Sequence, residues 1–309
     1  LVKIEDRYKP ILDSPILNLE NKRGCVHVLA NQKTIVTHVS PDLDGIPAIW
    51  LLKKFHPDFA NAKLAFVPAG STLNNEKVDS NPDIVHVDTG LGMFDHHSND
   101  DFTCGAQLVY EWLVREGYID EKDEAMKRLI TVLTELDHGW DNWKWSDADS
   151  DRNEFMLHNI LFGWKMVKPK EEEKYVEWVS FAMDAVYAVF RSKVRADEEL
   201  AKGKKFESKW GQGIAVESGN STVLDLAIKK GYAVVVTKDP KKGNVRVTGS
   251  NAKEVDLTKA YEAVKSKDPD ATWFLHASKV LLRNGSTRNP TMTPTRLSLD
   301  EIVKILSEA

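Results

Sequence analysis

Four short segments in the first half of the chain gather histidine and aspartate at spacings that could hold divalent cations. The first is His38-Val-Ser-Pro-Asp42-Leu-Asp44-Gly45, directly after the apolar run Thr34-Ile-Val-Thr37. Imidazole and carboxylate are the ligands favoured by divalent Mn, Zn or Fe. Two aspartates separated by one residue can face different ways, so each can serve a different ion. The second segment, Ile84-Val-His-Val-Asp88-Thr-Gly90, is an apolar run ending in a carboxylate suited to bridging two cations. The third is Asp95-His96-His97, after Met93-Phe94. The fourth is Glu135-Leu-Asp137-His138-Gly139, at the end of a helical pattern, with Asp141 following.

Each segment alone has a plainer explanation. An aspartate at a strand end commonly caps a helix or forms a turn, and Asp42 or Asp44 would suit the helix that begins near Ile46. Adjacent histidines are commonly incidental surface residues. The combination, in this order along one chain, points to a shared metal site.

The elements that must position these groups follow from hydrophobic patterning. Short β-branched runs at 25–30, 34–37, 63–67 and 83–87, with a helical stretch at 46–55 between the second and third, predict a parallel sheet with helices on both faces. In such sheets ligands bind beyond the carboxyl ends of the strands, which is where His38 and Asp88 fall. From 105 to about 194 the pattern is helical. Within it, 171–200 reads as one or two long helices, with Trp178, Phe181, Ala185, Val186 and Phe190 as the apolar face. The lysine-rich segment 202–205 reads as a linker. Strand signals then return at 213–216, 233–237 and 244–248, with helices at 222–230 and 257–265. The expected architecture is α/β: a doubly wound N-terminal domain over 1–200 and a smaller C-terminal α/β domain over 204–309.

With 309 residues and 42% hydrophobic content, the chain is long enough for one large domain or two ordinary ones. Its net charge of -5 argues against a protein that grips long nucleic-acid duplexes. A small phosphorylated substrate remains compatible, because bound cations invert the local field. Only Cys25 and Cys104 are present, too few for a disulfide framework or thiolate cluster, which suggests a reducing, cytoplasmic setting. No apolar run approaches the ~20 residues of a membrane span, and the charged residues of 1–10 do not resemble a secretory signal. Leu1 is not an initiator methionine, which fits a trimmed chain. Nothing in the sequence bears on a homodimer, which is left open.

The run His38-Val-Ser-Pro-Asp-Leu-Asp-Gly45, then Asp88, then Asp95-His-His97, resembles the signature of the DHH phosphoesterase superfamily. That group includes RecJ-like nucleases, oligonucleotide and cyclic-dinucleotide phosphodiesterases and manganese-dependent pyrophosphatases. The resemblance implies two divalent cations, Mn2+ first, with Mg2+, Co2+ or Zn2+ as substitutes. It implies that His38 and Asp42 bind one ion and Asp44 the other, that Asp88 bridges, and that His96 and a later aspartate complete the second. Asp137 is preferred for that later position over Asp141. His97 would face the substrate phosphate, with Asp95 supporting the histidines. Met93-Phe-Asp-His-His97, with Asp137 and Asp141-Asn142 downstream, is also similar to the Myg-type branch, whose members have been called metal-dependent hydrolases and RNA exonucleases.

In the second half, Asn244-Val-Arg246-Val-Thr-Gly-Ser250, a helix, then Trp273-Phe-Leu-His276 and Gly285-Ser286 resemble the DHH-associated domain. That resemblance implies that Arg246, Ser250, His276, Gly285 and Ser286 hold substrate phosphates or a terminal nucleotide. The family's glycine run before the histidine is replaced here by bulky Trp273-Phe274-Leu275, which leaves backbone approach to a phosphate less open. The alternative places His276 inside a buried segment, 273–282. Arg283, Arg288 and Arg296 add positive charge nearby. Trp140, Trp143, Trp145, Trp164 and Trp178 read as core filling in preference to base stacking.

The expected activity is two-metal hydrolysis of phosphodiesters in short oligonucleotides or dinucleotides. The alternatives are a phosphatase or pyrophosphatase acting on a small phosphate compound and, in another class, a metal-binding regulatory protein without turnover. As strand-end ligands, Asp44 and Asp88 should be removable without loss of the fold. No Walker loop, nucleophile elbow or dinucleotide fingerprint competes with this reading.

Overall fold

The computed structural model describes residues 32–98, 100–285, 289 and 291–309. The strand expected at 25–30, with Cys25, and the positions Ser286 and Arg288 lie outside the described residues.

The fold is mixed α/β with two sheets. The first is parallel, in the order β2-β1-β3, from β1 (Thr34–His38), β2 (Lys63–Val67) and β3 (Ile84–His86). Ile35 and Val36 point to opposite faces of β1 and both are fully buried, which explains the unbroken apolar run at the centre of this sheet. Helix α1 (Gly45–Phe55) crosses from β1 to β2, burying every residue from Gly45 to Leu52. Beyond β3 the chain makes a parallel bridge from Val87 to Phe94, then enters α2 (Gly105–Arg115) and α3 (Glu124–Asp137). Asp123 caps α3 by accepting the Met126 amide at 3.0 Å, and Met126, Leu129, Ile130 and Leu133 form the buried stripe of that helix. A single turn, α4 (Trp140–Trp143), leads through a 3-10 segment (Asp151–Phe155) to α5 (Leu157–Val167).

Helix α6 (Glu172–Ala201) has 30 residues and a length of about 45 Å at 1.5 Å per residue. Its first half packs Tyr175, Val176, Val179 and Met183 into the N-terminal core, while Ala196 and Leu200 pack against Ile214, Val216 and Val235 of the second sheet. The apolar face differs from expectation at two residues: Phe181 is 75% exposed and Ala185 is exposed as well. The buried stripe runs through 176, 179 and 183, and Phe181 falls off it by roughly half a turn.

The second sheet has six strands in the order β4-β5-β6-β7-β9-β8: β4 (Lys204–Ser208), β5 (Gly211–Glu217), β6 (Val234–Lys238), β7 (Val245–Gly249), β8 (Phe274–Leu275) and β9 (Leu281–Asn284). Only β5 and β6 run parallel, joined by α7 (Thr222–Lys229). Helices α8 (Thr258–Lys267) and α9 (Leu299–Glu308) complete this half, and Ser298 with Glu301 closes a capping box on α9. The segment at 202–205 is not a free linker. Helix α6 continues to Ala201, and Lys204 already pairs with Ala215 across β4 and β5.

Candidate metal centre

The carboxyl ends of β1 and β3 adjoin in the sheet, and the loops leaving them carry the first two motifs. After His38 the chain turns through Ser40, whose φ is 55°, and Asp42 accepts the amides of Asp44 and Gly45 at 2.9 and 3.3 Å at the mouth of α1. The capping explanation therefore holds for Asp42. Asp44 does something else: its carboxylate accepts the amides of Gly105 and Ala106, both at 2.7 Å, at the start of α2. Two helix N-termini thus converge on this carboxylate pair, where their dipoles favour negative charge. Glycine opens both helices because a side chain would collide. A Cβ at Gly45 would lie 2.8 Å from Thr37 Oγ1, and one at Gly105 would lie 2.9 Å from Asp44 Oδ2.

Asp88 adopts φ 53° directly after the Val87 bridge, a left-handed turn. Its Oδ2 lies 3.1 Å from His38 Nε2, and its Oδ1 lies 3.9 Å from His96 Nε2 and 3.8 Å from His97 Nδ1. His38 Nδ1 contacts the Val39 carbonyl at 2.8 Å, which directs Nε2 at the carboxylates. His96 Nε2 is 3.5 Å from both Asp44 Oδ2 and Asp137 Oδ2. Three overlapping donor groups result: His38, Asp42 and Asp88; Asp44, His96 and Asp137; and Asp88, His96 and His97. Asp88 and His96 each belong to two of them. Asp141 is directed elsewhere, pairing with His158 Nε2 at 3.0 Å.

His97 hydrogen-bonds Asp95 through both its amide and Nδ1, at 3.1 and 2.8 Å, and Asp95 also accepts the Leu91 amide at 2.6 Å. The imidazole of His97 is thereby oriented by a buried carboxylate while remaining 60% exposed.

The electrostatics are those of crowded carboxylates. Burial, and then the charges of Asp44, Asp42 and Asp88, push Asp137 up to about 8. Burial likewise raises Asp88 to about 7, against the opposing hydrogen bond from His38. Asp44 is raised by burial too. That hydrogen bond to Asp88 lifts His38 to about 9. Desolvation lowers His96, whose Nε2 is buried without a hydrogen-bond partner although carboxylates surround it. The bond to Asp95 raises His97. Burial works against ionisation of Asp95 but is outweighed by the Leu91 and His97 bonds, which hold it below the usual carboxylate range. Mixed nitrogen and oxygen donors, an unpartnered imidazole nitrogen and carboxylates raised first by burial and then by one another's charge fit divalent cations.

Asp44 is 2% exposed and Asp88 4%. Asp44 is therefore a structural residue as well as a candidate ligand, since its removal strands two helix amides. Sequence reading also missed the role of Gly105 and Ala106. It missed Lys165 of α5, whose Nζ donates to the Ser40 carbonyl at 2.9 Å and braces the first motif. The spacing of these partners along the chain left no local signal.

In the second sheet, Arg246 of β7 stands directly opposite Arg283 of β9. Arg246 Nη2 donates to the Ser218 carbonyl at 3.3 Å, and Arg283 donates to the Val247 carbonyl and, at 3.1 Å, to Thr248 Oγ1. Burial, and then the neighbouring Arg246, push Arg283 down to about 10. Ser250 is buried after β7, and Gly285 takes φ 88° after β9. His276 is exposed, with Nδ1 2.8 Å from Ser278 Oγ, whereas Trp273 is 7% exposed. The buried-histidine alternative is thus set aside: this segment alternates, with Trp273 inward and His276 outward. The tryptophans also divide. Trp164 packs edge-on against Tyr175 and Trp178, as core residues do, but Trp143 is 68% exposed.

No family model and no curated protein matches this chain. Among solved structures it is similar to an exopolyphosphatase-related protein from Bacteroides fragilis, at 13% identity and a TM-score of 0.27, over 91% of this chain and 92% of that one. It is also similar to RecJ from Thermus thermophilus in complex with Mg2+, at 12% identity and a TM-score of 0.30, over 89% of this chain. The match spans about half of RecJ, 49% of its length. At these scores neither likeness assigns an activity to the chain. The finer likeness to the Myg-type branch finds no support in them. Among the described residues, no helix is long and apolar enough to cross a membrane.

Proposed function

We propose that this chain is a phosphoesterase dependent on two divalent cations, hydrolysing phosphodiesters of short oligonucleotides or dinucleotides. The observation that carries this reading is the position of Asp88, within 4 Å of His38, His96 and His97 and common to two of the three donor groups. His38, Asp42 and Asp88 would hold one cation, and Asp44, His96 and Asp137 the other, with Asp88 shared. Bound there, the cations supply charge neutralisation at the phosphoryl oxygens and acidify the attacking water.

The protein's own groups do the rest. The two helix N-termini and the buried Asp44 fix the donor geometry before substrate arrives, so little reorganisation accompanies reaction. Water adds to phosphorus, giving up one proton to solvent, as the bond to the leaving oxygen breaks, and that oxygen takes up a proton. His97 is the exposed imidazole beside the cluster, its pKa raised by the hydrogen bond to Asp95, and it is placed to donate that proton. Arg246 and Arg283, side by side and mutually repelling, suit a further phosphate of the substrate, together with Ser250, His276 and Gly285. The same arginine pair favours the second reading, hydrolysis of a small compound with more than one phosphate.

The test is a screen of the manganese-loaded protein against dinucleotides, short RNA and DNA, mononucleotides and pyrophosphate. Cleavage of the dinucleotides and short oligomers, abolished in Asp88→Asn, is the expected result. Turnover of pyrophosphate alone would select the second reading, and no metal-dependent turnover of any of them would overturn both.

A further inference from the structure

The aromatic residues beside the metal centre are arranged as a connected row. The rings of His97 and His96 have centroids 4.3 Å apart, and His96 lies 6.5 Å from His138. His138 lies 4.6 Å from Phe102, which stacks on Trp140 at 4.5 Å with planes 24° apart. Trp143 meets Trp140 edge-on at 6.4 Å. The row leads outward from the donor cluster, and its outer members are open: Phe102 is 47% exposed and Trp143 68%. Lys144 holds its Nζ 3.0 Å from the centroid of Trp140, placing a cation against the same rings.

Local backbone explains the juxtaposition. Asp137 is the last residue of α3, and Gly139, at φ 65°, reverses the chain so that α4 begins at Trp140. The turn that presents Asp137 to the donor cluster therefore presents Trp140 and Trp143 just outside it. His138, between them, is held by its Nε2 contact to the Thr103 carbonyl at 3.0 Å, which ties the turn to the segment carrying Phe102. Core packing does not account for Phe102 and Trp143, since both stand in solvent. Flat rings with an ammonium group, contiguous with a phosphate-directed centre, match a ligand that joins a π-face to phosphate.

We propose that Phe102, Trp140 and Trp143, with Lys144, form a stacking subsite for a nucleobase of the substrate. The proposal rests on the phosphoesterase reading of the metal centre and makes that centre selective for nucleotidyl phosphodiesters over base-free ones. Stacking on an aromatic side chain tolerates any base, so the selectivity is for having a base rather than for its identity.

The test compares a dinucleotide with its abasic analogue, which carries the same scissile linkage, in manganese-loaded wild type, Phe102→Leu and Trp143→Ala. Both replaced residues are exposed, and metal content is measured in each variant as a control. The wild type should favour the dinucleotide in kcat/KM by about ten- to a hundredfold, and each variant should lower that preference by about fivefold or more. A wild-type preference near one, or variants that slow both substrates equally, would overturn the subsite while leaving the phosphoesterase intact. If the wild type cleaves neither substrate, the phosphoesterase reading fails, and the subsite is judged by nucleoside monophosphate binding. Quenching of tryptophan fluorescence by the monophosphate, weakened in Phe102→Leu, sustains the subsite, and no quenching in the wild type overturns it.

Discussion

The carboxylate of Asp44 closes the N-terminus of the helix that begins at Gly105, accepting the Gly105 and Ala106 amides at 2.7 Å while its Oδ2 lies 3.5 Å from His96. One side chain thus joins the loop after the first strand, the start of α2 and the donor cluster. Replacing Asp44 by Ala leaves two buried amides unpartnered. Losing them costs about 2 kcal/mol after allowing for relieved carboxylate repulsion. The melting temperature of the metal-free protein should fall by about 5 °C, with Asp44→Asn intermediate. An unchanged melting temperature for Asp44→Ala would show that these bonds do not stabilise the fold.

Metal affinity should depend steeply on pH. In the metal-free protein Asp88, Asp137 and His38 titrate near 7, 8 and 9, all above their ordinary values. Raised values mean that protons compete with cations on the acid side. Manganese affinity should therefore rise from about pH 6 to about pH 9 and flatten beyond, with protons released on binding. Calorimetric titration in two buffers of different ionisation enthalpy measures that release. Affinity flat across the window, with no proton release, would contradict the assignment.

Much of this candidate site was legible because the residues proposed as ligands sit in runs tied to strand ends. His38 follows a β-branched run, Asp88 ends another, and Asp95-His96-His97 is contiguous. What was not legible is long-range. The bond from Asp44 to Gly105 spans 61 residues, so sequence offers a glycine and an aspartate with nothing to connect them. Choosing between Asp137 and Asp141 likewise required knowing where His158 lies. In the fold, Lys204 was misread because an edge strand rich in lysine has the composition of a linker. Strands β8 and β9 were missed because at two and four residues they are too short for an alternating pattern to register.

Asp95→Asn should separate orientation of His97 from metal binding. The substitution leaves the neutral side chain able to accept a bond but weakens the charged hydrogen bond that raises His97. We expect kcat to fall about 10- to 100-fold with metal content unchanged, and the alkaline limb of the pH–rate profile to move to lower pH. Full activity with an unmoved limb would remove His97 from proton donation.

His276→Ala should leave the melting temperature within about 1 °C, because the imidazole is exposed and, among the described residues, its hydrogen bonds go to Ser278. If the second sheet contributes to substrate binding, kcat/KM falls about tenfold at constant metal content. Unaltered kinetics would confine recognition to the N-terminal half.

Two cations sharing Asp88 would require both donor groups to fill in one chain. Counting manganese per chain by elemental analysis, in wild-type protein loaded after chelator-free purification, addresses it without reference to any substrate. About two ions per chain are expected. One ion or fewer at saturating manganese would contradict it.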